Sequence, residues 1–186
     1  MRVFIAIELP NEIKAALTAL QDELRQTRAD VTWTRPDNFH LTIKFLGEVE
    51  ANQLPNITNA CVDAAASVSS FMLQVKETGV FPNVKHPKVL WAGMAGELDQ
   101  LQALHRTLDA NLHALGFAKE ARSFNPHLTL GRVKSLKNIA AVTAKLLLAE
   151  LPAWSFSVAE LVVMQSQLHP AGSIYTPLAH CPLGKD

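Results

Sequence analysis

His40-Leu41-Thr42-Ile43-Lys44-Phe45-Leu46-Gly47 and His127-Leu128-Thr129-Leu130-Gly131-Arg132 are two versions of one phrase. Each follows a turn-forming stretch that contains an asparagine, Pro36-Asp37-Asn38 in one case and Asn125-Pro126 in the other. Each then opens an apolar run that reads as a β-strand. The two copies begin close to half the chain apart, which predicts two related lobes. Side chains alternate along a strand, so the His and Thr of each copy share one face, while Leu41, Ile43, Phe45, Leu128 and Leu130 face the other way, into a core. An imidazole and a hydroxyl on an otherwise apolar strand are costly to bury unless partners or a ligand receive them. By the same alternation Lys44 joins the face of His40 and Thr42. Arg132 falls opposite His127 unless the strand bends.

Outward from these strands, secondary-structure signals alternate. Arg2 to Glu8 is a short strand, and Pro10 starts a helix over residues 11–28 whose Ile13, Leu17, Leu20 and Leu24 lie on one face. A short β piece at 31–34 precedes the first motif strand at 39–46, which Gly47 is expected to stop. A helix is expected at 51–67, and strands at 71–77 and 88–93. Leu98, Leu101, Leu104, Leu108, Leu112 and Leu115 trace a helical stripe ending at Gly116. The second motif strand covers 127–133, a helix 140–151, one buried strand 155–165 and a last strand 174–178. The fold class is therefore α+β or α/β, and with no linker-like run the 186 residues read as one two-lobed domain.

Composition narrows the function. Seventeen Lys+Arg balance seventeen Asp+Glu, which argues against broad phosphate-driven binding to duplex DNA but leaves room for a small phosphate in a local pocket. Hydrophobic residues make up 48% and charged residues 18%, as in a soluble globular protein. Cys61 and Cys181 form no C-x-x-C pair, which suits a reducing compartment. No stretch reads as a signal peptide or membrane span, so a cytoplasmic protein without membrane partners is expected.

If the lobes face one another, the two His-Thr pairs converge across a cleft. Imidazoles titrate near neutrality (~6.5), so one can accept a proton and the other donate one. Two Thr hydroxyls can donate to the non-bridging oxygens of a phosphate. That set suits in-line displacement at phosphorus. No carboxylate or cysteine stands at ligand spacing beside either motif, so no metal is expected. Taken singly, each His reads as a satisfied strand histidine and each Thr as ordinary β-propensity; the duplication favours a site. Lys44 is a candidate for stabilising charge on phosphorus or else a solvated strand-end lysine. Arg132 suits bidentate phosphate binding. Phe81 and Trp91 are candidates for stacking on a base, with core packing as the plainer reading. His105, His113, His86, His169 and His180 read as incidental, the first two as exposed helix positions and the others as loop residues.

The chain resembles the two-histidine (2H) phosphoesterase superfamily, and within it the RNA 2′,3′-cyclic phosphodiesterases of the LigT-like group, formerly called 2′-5′ RNA ligases. The resemblance rests on Arg2-Val3-Phe4-Ile5-Ala6-Ile7, on Trp33 and Pro36 ahead of the first motif, on Phe81-Pro82, on Val89-Leu90-Trp91-Ala92-Gly93, and on Pro126-His127-Leu128-Thr129-Leu130-Gly131-Arg132. It implies two pseudo-symmetric lobes, each a mainly antiparallel sheet flanked by helices, around a central cleft. It implies cofactor-free and metal-independent hydrolysis of a 2′,3′-cyclic phosphate, on an RNA 3′ end or a small nucleotide, to a 2′-phosphomonoester. His40 is then the proton donor to the leaving 3′ oxygen, His127 the acceptor from water, and Thr42 and Thr129 the phosphate holders. A monomer is expected, since one chain would supply both lobes. The resemblance also admits ADP-ribose 1″,2″-cyclic phosphate or 2′-5′-linked RNA as substrate, and the reverse joining reaction. A non-catalytic RNA-end binding module is the rival of another class, although phosphate binding alone would more naturally use Lys and Arg.

Overall fold

The computed structural model describes residues 1–184. Nine strands and four α-helices follow in the order β1 (Arg2–Glu8), α1 (Asn11–Arg25), β2 (Val31–Trp33), β3 (His40–Glu48), α2 (Leu54–Ala66), β4 (Phe71–Phe81), β5 (Val89–Gly96), α3 (Leu98–Ala114), β6 (His127–Val133), α4 (Ile139–Leu148), β7 (Trp154–Val158), β8 (Glu160–Gln167) and β9 (Ile174–Pro182). Single 3₁₀ turns at Pro36–Asn38 and Ala51–Gln53 precede β3 and α2. The strands form two antiparallel sheets, one ordered β3-β1-β8-β9 and the other β2-β6-β5-β4-β7. The architecture is α+β.

Each helix buries the face its periodicity announces. In α1, Ile13, Leu17, Leu20 and Leu24 are buried; in α3, Leu101, Leu104, Leu108 and Leu112 are fully so. Each such leucine contributes about 1.5–3 kcal/mol of transfer free energy. Gly116, at φ +97°, supplies the left-handed residue after α3. Helices α2 and α3 pack on each other and on the first sheet, and α4 packs on β4 of the second. Ile5, Leu41, Leu90, Leu104, Leu128 and Leu146 belong to one continuous apolar core beneath both sheets.

Four expectations fail here, each for a tertiary reason. The halves of the sequence are not the lobes. The first sheet takes β1 and β3 from the start of the chain and β8 and β9 from its end, while β2 leaves the first half to pair with β6 in the other sheet. The expected single strand at 155–165 is two. β7 pairs with β4 and β8 with β1, so the chain changes sheets at Ala159. Gly47 does not end its strand. At φ +74° it pairs with Val3, and β3 continues to Glu48. β4 likewise runs past Glu77 (φ +68°) to Phe81, because an irregularity between Val75 and Thr78 lets the ladder resume with β5. No helix among the described residues is long and apolar enough to cross a membrane.

Candidate active site

The two motif strands are built alike, down to an irregularity that the alternation rule does not foresee. In β3, Ala6 pairs with Thr42 but Ile5 pairs with Lys44, leaving Ile43 as an extra residue. In β6, Trp91 pairs with Thr129 but Leu90 pairs with Gly131, leaving Leu130 extra. A bulge inverts the alternation beyond it. The first seven residues of β3 and all seven of β6 show the same burial sequence, with the fourth and fifth both buried. Positions 45 and 132 therefore come round to the face of the His-Thr pairs, and positions 44 and 131 turn inward.

This overturns the parity argument for Lys44 and supplies the bend on which the placement of Arg132 depended. Lys44 does not share the open face of His40 and Thr42, nor is it a solvated strand end. It is 5% exposed, and its ammonium donates to a carboxylate oxygen of Asp109 and to the Ala118 carbonyl oxygen, 2.9 Å away. Although the residue borders the cleft, its charge is already matched by Asp109. Arg132, in contrast, is exposed and lines the cleft beyond Thr129. Its counterpart by position is Phe45, 69% exposed and 5.7 Å from the Phe4 ring. The sequence reading missed Phe45 because strict alternation assigned it to the core.

His40, Thr42, His127, Thr129 and Arg132 line one open cleft between the sheets, with a cavity volume of ≈ 310 Å³. His40 Nε2 lies 3.1 Å from Thr42 Oγ1. The imidazole sits among aromatic rings, 4.9 Å from Phe4 and 5.0 Å from Tyr175, the latter edge-on at 78°. Burial lowers the His40 pKa to about 4. An interaction with the Asn38 backbone opposes that shift, and the positive charge of Lys14 adds to it. In the free protein at neutral pH, His40 is neutral. The anionic charge of a phosphate beside it favours its protonated form.

His127 is held differently. Its Nδ1 lies 2.8 Å from the Asn125 carbonyl oxygen. A carbonyl oxygen only accepts, so Nδ1 donates, and in the uncharged form of the ring this contact leaves the lone pair on Nε2. The edge of Phe81 packs on it at 5.0 Å and 84°. Phe81 thus braces the second histidine, and it also packs on Trp91 at 5.2 Å. Trp91 lies flat on the same face of the sheet, over Gly79, where a Cβ would come within 2.1 Å of the indole. Thr34 Oγ1 donates to the Thr129 carbonyl oxygen at 2.8 Å. The extra carbonyl of the second bulge, Leu130 O, accepts from the buried Gln21 side chain at 2.8 Å and from Thr34 N at 2.9 Å.

Other histidines were misjudged from sequence. His105 is buried and stacked on Phe124 with centroids 4.2 Å apart, because the polar residues of α3 face a returning segment rather than water. His180 lies in β9, not in a loop, and its Nδ1 is 2.9 Å from Glu160. His86 and His169 do lie outside regular elements. Among the described residues, no group of three His, Cys, Asp or Glu side chains is placed to hold a metal ion.

Comparison with known proteins points the same way. The family described as LigT like Phosphoesterase matches residues 7–91 and 93–175. An RNA 2′,3′-cyclic phosphodiesterase of Methanothermobacter thermautotrophicus is 34% identical over 181 residues, covering 96% of each chain. One of Thermotoga maritima is 32% identical, covering 97% of this chain and 95% of its own. Among solved structures, TT0787 of Thermus thermophilus superimposes with a TM-score of 0.81 at 28% identity over the full length of both chains. E. coli LigT complexed with 3′-AMP gives 0.78 at 25% identity, covering 98% of this chain and 97% of its own.

Proposed function

Since the chain belongs to the LigT-like phosphoesterase family, hydrolases of phosphodiester bonds, we propose that it opens the 2′,3′-cyclic phosphate of an RNA 3′ end or small nucleotide to a 2′-phosphomonoester, using two histidines and no metal. The carrying observation is that two bulged His-x-Thr strands from different sheets line one cleft. The activity named for the relatives supports the substrate class, as do E. coli LigT structures holding 3′-AMP and NADP+.

The residues divide the work as follows. His127 Nε2 takes a proton from water as its oxygen attacks phosphorus. The bond to the 3′ oxygen breaks on the far side, and that oxygen leaves with the proton of His40. Asn125 O, by holding Nδ1–H, keeps the accepting lone pair on Nε2 and stabilises the imidazolium that forms. Because His40 is neutral in the free protein, it takes up its proton as the phosphate anion arrives, so the acid is charged only when there is something to protonate. The hydroxyls of Thr42 and Thr129 donate to the non-bridging oxygens, and the Arg132 guanidinium adds charge where negative charge develops. Phe45, exposed beside the phosphate position, offers a ring face to the base.

The test is turnover of the four nucleoside 2′,3′-cyclic phosphates with chromatographic identification of products. The expected result is a 2′-phosphate, with full activity in EDTA. His40→Ala and His127→Ala should each abolish it, and the double variant should be little worse than either single, as for residues acting as one unit. Near-normal turnover by either single variant, or activity that EDTA removes and a divalent ion restores, defeats the reading.

A further inference from the structure

The segment from residue 115 to 126 carries the chain from α3, packed on the first sheet, to β6 and His127 in the second. Its start is closed by backbone bonds, Gly116 N to His113 O and Phe117 N to Leu112 O. Among the described residues, every hydrogen bond of residues 118–125 is then made with a side chain. Lys44 Nζ donates to Ala118 O at 2.9 Å, Glu120 N donates to the Asp109 carboxylate at 3.3 Å, and Gln102 Nε2 donates to Phe124 O at 3.1 Å. His127 Nδ1 donates to Asn125 O at 2.8 Å. The Phe124 ring lies parallel to His105 at 4.2 Å, and His113 Nδ1 meets Phe117 O at 3.1 Å.

Four of these groups, Gln102, His105, Asp109 and His113, lie three and four residues apart and so form one polar stripe along α3, beside its leucine stripe. Apart from His127 itself, the one grip from outside α3 among the described residues is Lys44, turned inward by the same bulge that exposes Phe45 on the strand of His40. The ammonium joins the Asp109 carboxylate and the Ala118 carbonyl, and Asp109 also takes the Glu120 amide. Burial alone would raise the Asp109 pKa, but the bonds from Lys44 and the Glu120 amide bring it below its ordinary value, so the carboxylate is charged in this position.

We infer that Lys44 and Asp109 are positioning residues for His127. Their ion pair ties the strand of one catalytic histidine to the segment whose Asn125 carbonyl sets the tautomer of the other. The assignment rests on His127 being the base, and it reaches beyond that role by making the base dependent on a buried pair in the opposite lobe. Removing the pair lets 118–125 loosen, frees Asn125 O, and allows the imidazole proton to move to Nε2, where it blocks water activation. Binding of the phosphate by Thr42, Thr129 and Arg132 is not touched.

The experiment compares wild type, Lys44→Arg and the double variant Lys44→Met with Asp109→Leu, which leaves no unpaired buried charge. Thermal melting establishes that each is folded. ¹⁵N spectra of the free protein read the His127 tautomer, hydrogen exchange reads residues 118–125, and kcat and KM are measured on a nucleoside 2′,3′-cyclic phosphate. The double variant is expected to show a mixed His127 tautomer, faster exchange in 118–125 and a kcat lowered roughly 10- to 100-fold, the range that misplacement of a catalytic group by about an ångström produces. KM should change less than about 3-fold, since substrate-binding groups are unaltered. Lys44→Arg should restore the tautomer. A folded double variant with the wild-type tautomer and exchange overturns the inference. If wild type itself turns over no cyclic nucleotide, the catalytic reading fails, and the spectra alone still decide whether the pair holds His127.

Discussion

Replacing Tyr175 with Ala tests the electrostatics of His40 directly. The displacement of its pKa from 6.5 to about 4 corresponds to a free energy on the order of 3 kcal/mol. Its largest cause is burial, and the edge of Tyr175, 5.0 Å away, is one wall of that enclosure, with Phe4 as another. Removing one wall admits water to one side of the imidazole and should bring the pKa back by roughly one unit, about 1.4 kcal/mol. The assay is an NMR titration of His40 in wild type and Tyr175→Ala, each with and without inorganic phosphate. Wild type should titrate near 4 when free and higher with the anion bound, and the variant should start higher. The folded protein takes up this proton only near 4, whereas the unfolded chain takes it up near 6.5. Stability from a neutral His40 is therefore complete above 6.5 and is withdrawn as pH falls from 6.5 toward 4. The variant should lose less in that window. A wild-type His40 that titrates at 6.5, or a variant titrating with wild type, refutes the reasoning.

Two further outcomes follow from packing and charge. Gly79→Ala places a Cβ within 2.1 Å of the Trp91 ring. The indole must then move off Gly79, and the cost, about 1–3 kcal/mol for an overpacked site, should appear as a lower urea midpoint with unchanged m. The Asp109 carboxylate has its pKa lowered on folding. Its contribution is therefore whole at neutral pH and is lost as pH falls below the unfolded value of ~3.9 and through the folded one. Urea denaturation at pH 5 and pH 3 should show a steeper acid loss for wild type than for Asp109→Asn; equal losses would remove the pair from the account.

What could be read in advance was local. The leucine stripe of α3, the strand at 127–133 and the duplicated His-x-Thr units depend on neighbours in sequence, so periodicity and turn residues announce them. The two antiparallel sheets were implied by the resemblance to the LigT-like group rather than by either motif alone. Pairing is different. Which strands meet depends on faces matched across more than a hundred residues, as in the ladder of Arg2 with Ser166, and no local pattern records that choice. The interleaved lobes and the division of 155–165 between two sheets came from there.

The site divides along the same line. The chain alone determined which residue types the cleft holds, His40 with Thr42 and His127 with Thr129, because strand alternation puts each pair on one face. Only the tertiary structure decided what surrounds them. The extra residues Ile43 and Leu130 exist as bulges only relative to their partners in β1 and β5, and a bulge inverts the alternation of the residues that follow it. Lys44 was thereby turned to Asp109, while Phe45 and Arg132 were brought into the cleft. Backbone register is a property of two strands at once, and neither strand's sequence contains it.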